Sequence, residues 1–224
     1  MDSTGMGAAG SADVSTGIDG IKAFLGRLFT ELNKNELDRL EQLAGSSENA
    51  RREAVEFICR PDRLEQYQRL CLIDDYDPIH YCPYHVLARI GQDSERAMEA
   101  CLRGMWNDEG FAKMYAMEAL PKVVPPQMRQ RAVSEISNYL DRLVHEDGEN
   151  PMFHSYASSA VLSLLMFGKE GCEPLKKYIT SQDNGSKAIR NKIRYELVGV
   201  CRTGRNKAAE IESAFANLWL QIAG

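Results

Sequence analysis

The chain has no long apolar run, no surplus of positive charge and none of the common catalytic motifs. No stretch of its 224 residues is apolar and long enough to span a bilayer, so the sequence predicts no membrane association. Its formal net charge of −5 argues against a uniformly basic nucleic-acid binder. A phosphate-binding P-loop, a GxSxG elbow, an HExxH motif and a dinucleotide fingerprint are all absent. These absences favour a protein without catalytic activity or a cofactor, although catalytic groups can converge from distant helices.

No two of the six cysteines form a CxxC pair, and no secretory signal precedes them. Residues 1–16 are rich in Gly, Ser, Ala and Thr, without a basic start or an apolar core. They are predicted to form a disordered leader, and residues 17–224 a single helical-repeat domain. The cysteines are accordingly predicted to be buried, reduced thiols in an intracellular, cytoplasmic protein.

What the sequence does contain is helical periodicity along most of its length. Apolar residues recur three or four positions apart, and the strict alternation typical of strands is absent. The pattern predicts an all-α protein of about a dozen helices. Trp219 adjoins the stripe of the last predicted helix and is predicted to be a core residue. That stripe consists of Ala208, Ile211, Phe215, Leu218 and Ile222.

A short phrase of small and branched apolar residues returns at a helical-hairpin period. Its five copies are Ala54–Ile58, Val86–Ile90, Ala119–Val123, Ala160–Leu164 and Leu197–Cys201. Their first residues are 32, 33, 41 and 37 positions apart. Periods of this length are typical of stacked supersecondary units. A small residue lets two helices approach each other, while the neighbouring Leu or Ile fills the seam between them.

Segment 86–97, with the sequence Val-Leu-Ala-Arg-Ile-Gly-Gln-Asp-Ser-Glu-Arg-Ala, resembles the heart of a HEAT-like repeat of the phycobilin-lyase type. Segment 107–123 resembles the first helix of the next repeat, and the resemblance covers residues 48–224. It implies an α-solenoid of about five HEAT-like helical hairpins with an N-terminal helical hairpin. Pro121, the 41-residue spacing and the broken segment 74–83 depart from the family pattern. The alternative is an irregular helical bundle in which the alanines are coincidental.

Segment 74–83 is the longest interruption of the helical pattern, with two prolines and three aspartates. Its residues Asp74, Asp75, Tyr76 and Asp77 are candidate partner-binding residues, because loops on a rigid scaffold often carry function. The alternative is a loop whose carboxylates only face water.

Four potential zinc ligands, Cys71, His80, Cys82 and His85, lie within fifteen residues of one another. Their spacing is not that of a zinc finger, and a turn at Pro83 would have to bring all four together. They are weak candidates, so the sequence predicts no metal site.

Charge is distributed unevenly along the chain. Lys169–Lys207 contains ten Lys or Arg and four Asp or Glu, a net charge of +6 that leaves −11 for the remainder. Lys187, Arg190 and Arg194 share one helix face in this segment and are candidate partner-binding residues for phosphate or an acidic protein. Trp106, at a predicted helix end, is a further candidate as an exposed aromatic anchor. The alternatives are a solvated basic face and a packed tryptophan.

Two functions from different classes follow from these features. The favoured one is a non-catalytic protein–protein interaction module, such as an adaptor, a scaffold or an immunity-type inhibitor, because solenoids present extended binding surfaces. The alternative is a HEAT-like DNA glycosylase or another nucleic-acid-acting enzyme, with Lys187–Lys207 along the backbone and Trp106 and Asp108 at the lesion. The overall acidity and the few aromatic residues disfavour nucleic acid, so a protein partner is predicted. The sequence does not predict the oligomeric state.

Overall fold

The computed structural model describes residues 42, 44–62, 64–65, 83–145, 152–203 and 209–223. All regular secondary structure in these ranges is helical, which confirms the prediction of an all-α protein. No helix in the same ranges is long and apolar enough to cross a membrane. The longer helices are α1 (Glu48–Ile58), α2 (Pro83–Ile90), α3 (Glu95–Asn107), α4 (Gly110–Val123), α5 (Arg129–His145), α6 (Phe153–Met166), α7 (Lys169–Thr180), α8 (Asn184–Thr203) and α9 (Ala209–Ala223).

The chain divides into two compact units, Met1–Gly91 and Gln92–Gly224. In the first unit α1 packs against α2. Copies of the repeated phrase supply buried residues to both helices, including Ala54 and Ile58 of α1 and Leu87 of α2. The single domain predicted for residues 17–224 stays a prediction.

In the second unit each helix contacts the helix that follows it and also the helix after that. One series of contacts joins α4 to α6 and α6 to α8, and another joins α3 to α5, α5 to α7 and α7 to α9. Helix α6 contacts α4, α5, α7 and α8 and buries most of its residues against them. The apolar core is therefore continuous through the unit, with α6 at its centre.

The repeated phrase supplies this core. Ala119 and Leu120 of α4, and Ala160 and Leu164 of α6, are buried. Leu197 of α8 is buried as well. Small and large apolar residues of the phrase are thus both buried, as expected for residues between packed helices.

Helix α4 continues through Pro121 to Val123. Proline has no N–H, so the main-chain carbonyl of Met117, four residues earlier, loses its usual helical donor. The buried hydroxyl of Ser163 in α6 replaces it, with Oγ 2.8 Å from Met117 O and 2.7 Å from Ser159 O. A contact from the neighbouring helix therefore compensates for a proline that departs from the repeat pattern.

Candidate functional site

Several residues singled out from the sequence lie outside the described ranges. They are the loop residues Asp74, Asp75, Tyr76 and Asp77 and three of the weak metal candidates, Cys71, His80 and Cys82. His85 is described, as a half-buried residue of α2. Across the described residues, no group of three or more His, Cys, Asp or Glu side chains is arranged to hold a metal ion.

The basic segment forms α8, whose two faces differ sharply. Ile189, Ile193 and Leu197 recur every four residues and are buried against the rest of the unit. The opposite side presents four exposed side chains, here called the α8 outer face: Lys187, Asn191, Arg194 and Tyr195. Tyr195 is 73% exposed. The face therefore combines two cations with an aromatic ring and contains no acidic residue.

Glu196, which adjoins Tyr195 in the sequence, is directed at α6 rather than along this face. Its carboxylate accepts a hydrogen bond from the Ser158 hydroxyl of α6. The side chain is half-buried beside that contact. The α8 outer face therefore carries a net positive charge, and the carboxylate of Glu196 contacts α6 instead of this face.

The start of α8 is fixed by Asp183. Its Oδ1 accepts a hydrogen bond from the main-chain N–H of Ser186 at 2.7 Å, which satisfies one of the free donors at the helix start. Hydrogen bonds from Ser181 and Ser186 hold the pKa of the Asp183 carboxyl well below its usual range. The helix that carries the outer face is thus anchored from its first turn.

Arg190 shares the three- and four-residue spacing of Lys187 and Arg194 but has a different environment. Its Nη2 donates to the main-chain carbonyl of Tyr178 at 3.4 Å and to that of Ser181. Its Nε is buried without a hydrogen-bond partner among the described residues. Arg190 therefore joins α8 to the end of α7, and its guanidinium is directed inward rather than along the outer face.

Trp106 is half-buried between α3 and α5. Its Nε1 donates to Glu135 Oε2 at 3.1 Å, and its ring meets Tyr139 edge-on with 5.4 Å between centroids. Asp108, its companion in the glycosylase hypothesis, is only 5% exposed. Both side chains therefore lie within the packed unit.

The structure also exposes residues that sequence periodicity did not single out. Tyr195 on α8 and Leu220 on α9, 73% and 69% exposed, are the most exposed large apolar side chains among the described residues. Trp219 is 39% exposed, so its prediction as a core residue is wrong. The reason is that α9 has apolar residues around more of its circumference than one buried face can use. An apolar residue outside the buried stripe was the signal available in the sequence.

Two clefts flank α7. One cleft of about 540 Å³ separates it from α5 and is lined by residues that include Ser134, Asn138 and Glu173. A second, of about 480 Å³, separates it from α9 and includes Lys176 and Asn217. Charged and polar side chains border both clefts, while apolar surface forms most of their lining.

Helices α5 and α7 are joined by polar contacts near both of their ends. Asp141 of α5 lies 2.5 Å from Lys177 Nζ and accepts a hydrogen bond from the Tyr178 hydroxyl at 2.6 Å. Burial, followed by the bond to Asp141, raises the pKa of Tyr178 far above its usual value. Near the other end of the helices, Arg129 Nε lies 2.8 Å from Glu170 Oε2. These contacts hold α5 and α7 in a defined spacing.

Comparison with family models, curated proteins and solved structures gives no match for this chain.

Proposed function

We propose that the helices of the second unit stack as an α-solenoid of HEAT-like hairpins and that this scaffold binds a protein partner without catalysis. The pairs α4 with α5, α6 with α7, and α8 with α9 would be successive hairpins. Contacts between every second helix support this arrangement, because stacked hairpins bring equivalent helices side by side. The burial of the repeated phrase at these contacts supports it further.

The observation that carries the binding proposal is the composition of the α8 outer face. Tyr and Arg are enriched among the residues that dominate protein interfaces, and Tyr195 lies exposed directly beside Arg194. Lys187 adds a second exposed cation, and the face itself includes no acidic residue. The proposed partner is therefore an acidic protein surface, which the positive face would both attract and orient.

A protein suits this face better than a nucleic-acid duplex. Lys187 and Arg194 are seven residues apart on α8, which corresponds to about 10 Å along a helix. Two exposed cations can neutralise only a few phosphates, whereas duplex binding draws its affinity from many such contacts. The exposed ring of Tyr195 offers one apolar contact rather than a series of stacking platforms.

Site-specific photo-crosslinking in cells that produce the protein would test this proposal. A photoreactive residue replacing Tyr195 is expected to capture a discrete protein, while one replacing the exposed Gln127 is expected to capture little. Lys187→Glu with Arg194→Glu should abolish the capture at position 195, because both changed positions then repel an acidic surface.

The matched control is Arg103→Glu with Lys122→Glu, which makes the same change of charge at two exposed cations of α3 and α4. It should leave the crosslink intact. Equal capture at positions 195 and 127, or equal loss in both charge variants, would contradict the proposed face. Binding of duplex DNA that weakens steeply with salt would support the nucleic-acid alternative instead.

A further inference from the structure

The ammonium group of Lys113, near the start of α4, lies between two aromatic rings that belong to other helices. Its Nζ is 5.3 Å from the ring centroid of Tyr139 in α5 and 5.3 Å from that of Tyr156 in α6. A cation within about 6 Å of a ring centroid is attracted by the negative face of the ring. Lys113 is therefore held by two such contacts at once, and they join α4 to α5 and to α6.

The two rings are largely shielded from water. Tyr139 is 4% exposed and Tyr156 is 5% exposed, while Lys113 is half-buried and lies between the rings and the solvent. Attraction between a cation and a ring is stronger where water is excluded. Burial, and after it the charge of Glu109, raises the pKa of the Tyr156 hydroxyl. A carboxylate close enough to have this effect also favours a cation at the rings.

Both rings are held in place by contacts that do not involve Lys113. The hydroxyl of Tyr156 accepts a hydrogen bond from the main-chain N–H of Gly110 at 2.8 Å. Tyr139 meets the ring of Trp106 edge-on, and Trp106 is itself fixed by a 3.1 Å hydrogen bond from Nε1 to a glutamate of α5. The rings are therefore expected to keep their positions when the lysine side chain is absent.

We propose that Tyr139 and Tyr156 form a binding site for an ammonium group, and that Lys113 fills this site and keeps other cations out. The class of ligand that suits the site is a quaternary ammonium, which aromatic side chains bind through the faces of their rings. The site lies where α4, α5 and α6 meet, so this inference does not depend on the proposed partner of the α8 outer face.

Titration of the full chain with tetramethylammonium chloride, followed by saturation-transfer NMR, tests the site. Lys113→Ala empties the space between the rings. It is expected to bind the ion at least about tenfold more tightly than the unchanged chain, in which the site is open only while Lys113 is displaced. Tert-butanol is similar in size and shape but uncharged, so it should bind to Lys113→Ala much more weakly than the ion does. Sodium chloride at equal concentration is the reference for ionic strength.

Lys122→Ala is the matched control, because it removes an exposed lysine from the same helix. It should bind the ion no better than the unchanged chain. Tyr139→Leu, added to Lys113→Ala, keeps an apolar side chain but removes one ring and should abolish the gain in binding, with circular dichroism confirming equal helix content. Equal binding of the ion by the unchanged chain and Lys113→Ala would overturn the inference. Failure of Lys113→Ala to bind the ion, or equal binding of tert-butanol, would also overturn it and leave Lys113 as a structural link between helices.

Discussion

At the scale of single residues, Gly171 marks the closest approach between the start of α7 and the end of α6. A β-carbon added there would lie 1.8 Å from the main-chain oxygen of Leu164 and 2.6 Å from its carbonyl carbon. Main-chain atoms cannot rotate away as a flexible side chain can, so the two helices would have to separate. The position therefore requires glycine for space.

Gly171→Ala is expected to destabilise the protein by about 3 kcal/mol, at the upper end of the cost of overpacking a core. The control is Gly199→Ala in α8, where an added β-carbon meets nothing within 4 Å. Since alanine favours helices over glycine by about 1 kcal/mol, this second change should be neutral or stabilising. Urea unfolding measures both. Equal destabilisation by the two substitutions would show that helix propensity, not the approach to Leu164, decides the outcome.

Cys172, beside Gly171, is one of three buried groups that should make the stability fall at alkaline pH. Burial raises the pKa of the Cys172 thiol to about 12 and also raises the pKa values of the Tyr156 and Tyr178 hydroxyls. Unfolded thiols lose their proton near pH 8.5 and tyrosines near pH 10, at about their usual pKa values. Above those values the folded state binds more protons than the unfolded state. The free energy of unfolding should therefore be fully retained below about pH 8.5 and fall as pH rises toward the folded pKa values.

Urea midpoints measured from neutral pH to about pH 11 check this dependence. Tyr178→Phe removes one of the three titrating groups, so stability should fall less steeply above about pH 10, whatever the level at neutral pH. An equally steep fall in this variant would mean that Tyr178 does not contribute to the transition.

At the scale of the helix, Pro121 and Ser163 form a coupled pair across α4 and α6. Ser163→Ala should cost about 1–3 kcal/mol, because it leaves the Met117 carbonyl without the donor that Pro121 cannot supply. In a Pro121→Ala background, the substituted alanine has an N–H that can bond to Met117 O within the helix. The same Ser163→Ala change should then cost less.

A double-mutant cycle measured by urea unfolding gives the coupling energy between positions 121 and 163. We expect it to exceed about 0.5 kcal/mol, the usual error of additivity for independent sites. Additive effects of the two substitutions would contradict the proposed compensation and would leave the hydroxyl bonded mainly to Ser159 O.

The helices themselves could be predicted from local pattern, but the partners of polar and aromatic side chains could not. The phrase containing Ala160 and Leu164 occupies the core because apolar spacing along a helix decides which face is buried. Arg190 has the same spacing as Lys187 and Arg194, and only the position of the preceding helix end directs it inward to the Tyr178 carbonyl. Helical spacing fixes the face a residue occupies, whereas its partner depends on how a neighbouring helix is placed.

Trp219 shows that the burial of an apolar side chain is also not fixed by helical spacing alone. It lies four residues after the buried Phe215, a spacing that favours burial, yet it remains 39% exposed. How much of a helix is covered depends on how many neighbours it has. Helix α9 contacts α7 and α8 and buries Phe215 and Leu218, while Leu220 remains exposed. That number is a property of the assembled unit, and the helix indicates it only through the position of Trp219 outside the stripe of Phe215 and Leu218.

At the scale of the second unit, α6 should be the most stable element, because most of its residues are buried against its neighbours. Amide hydrogens exchange most slowly where local opening requires unfolding of the whole cooperative core. We therefore expect the slowest exchange in α6 and faster exchange in α9, which is buried on one face only. The gradient should be visible by hydrogen exchange with mass spectrometry.

Leu164→Ala provides the perturbation for this prediction. Leu164 is fully buried, so its truncation should cost about 2–5 kcal/mol and should increase exchange in α4, α7 and α8 as well as in α6. Tyr195→Ala, which truncates a larger but 73% exposed side chain on α8, should leave exchange in α6 unchanged. Faster exchange confined to α6 after Leu164→Ala would show that the helices open one at a time. If the core is continuous with α6 at its centre, faster exchange should appear in the neighbouring helices too. Removing one shared buried side chain then weakens every helix that packs on it.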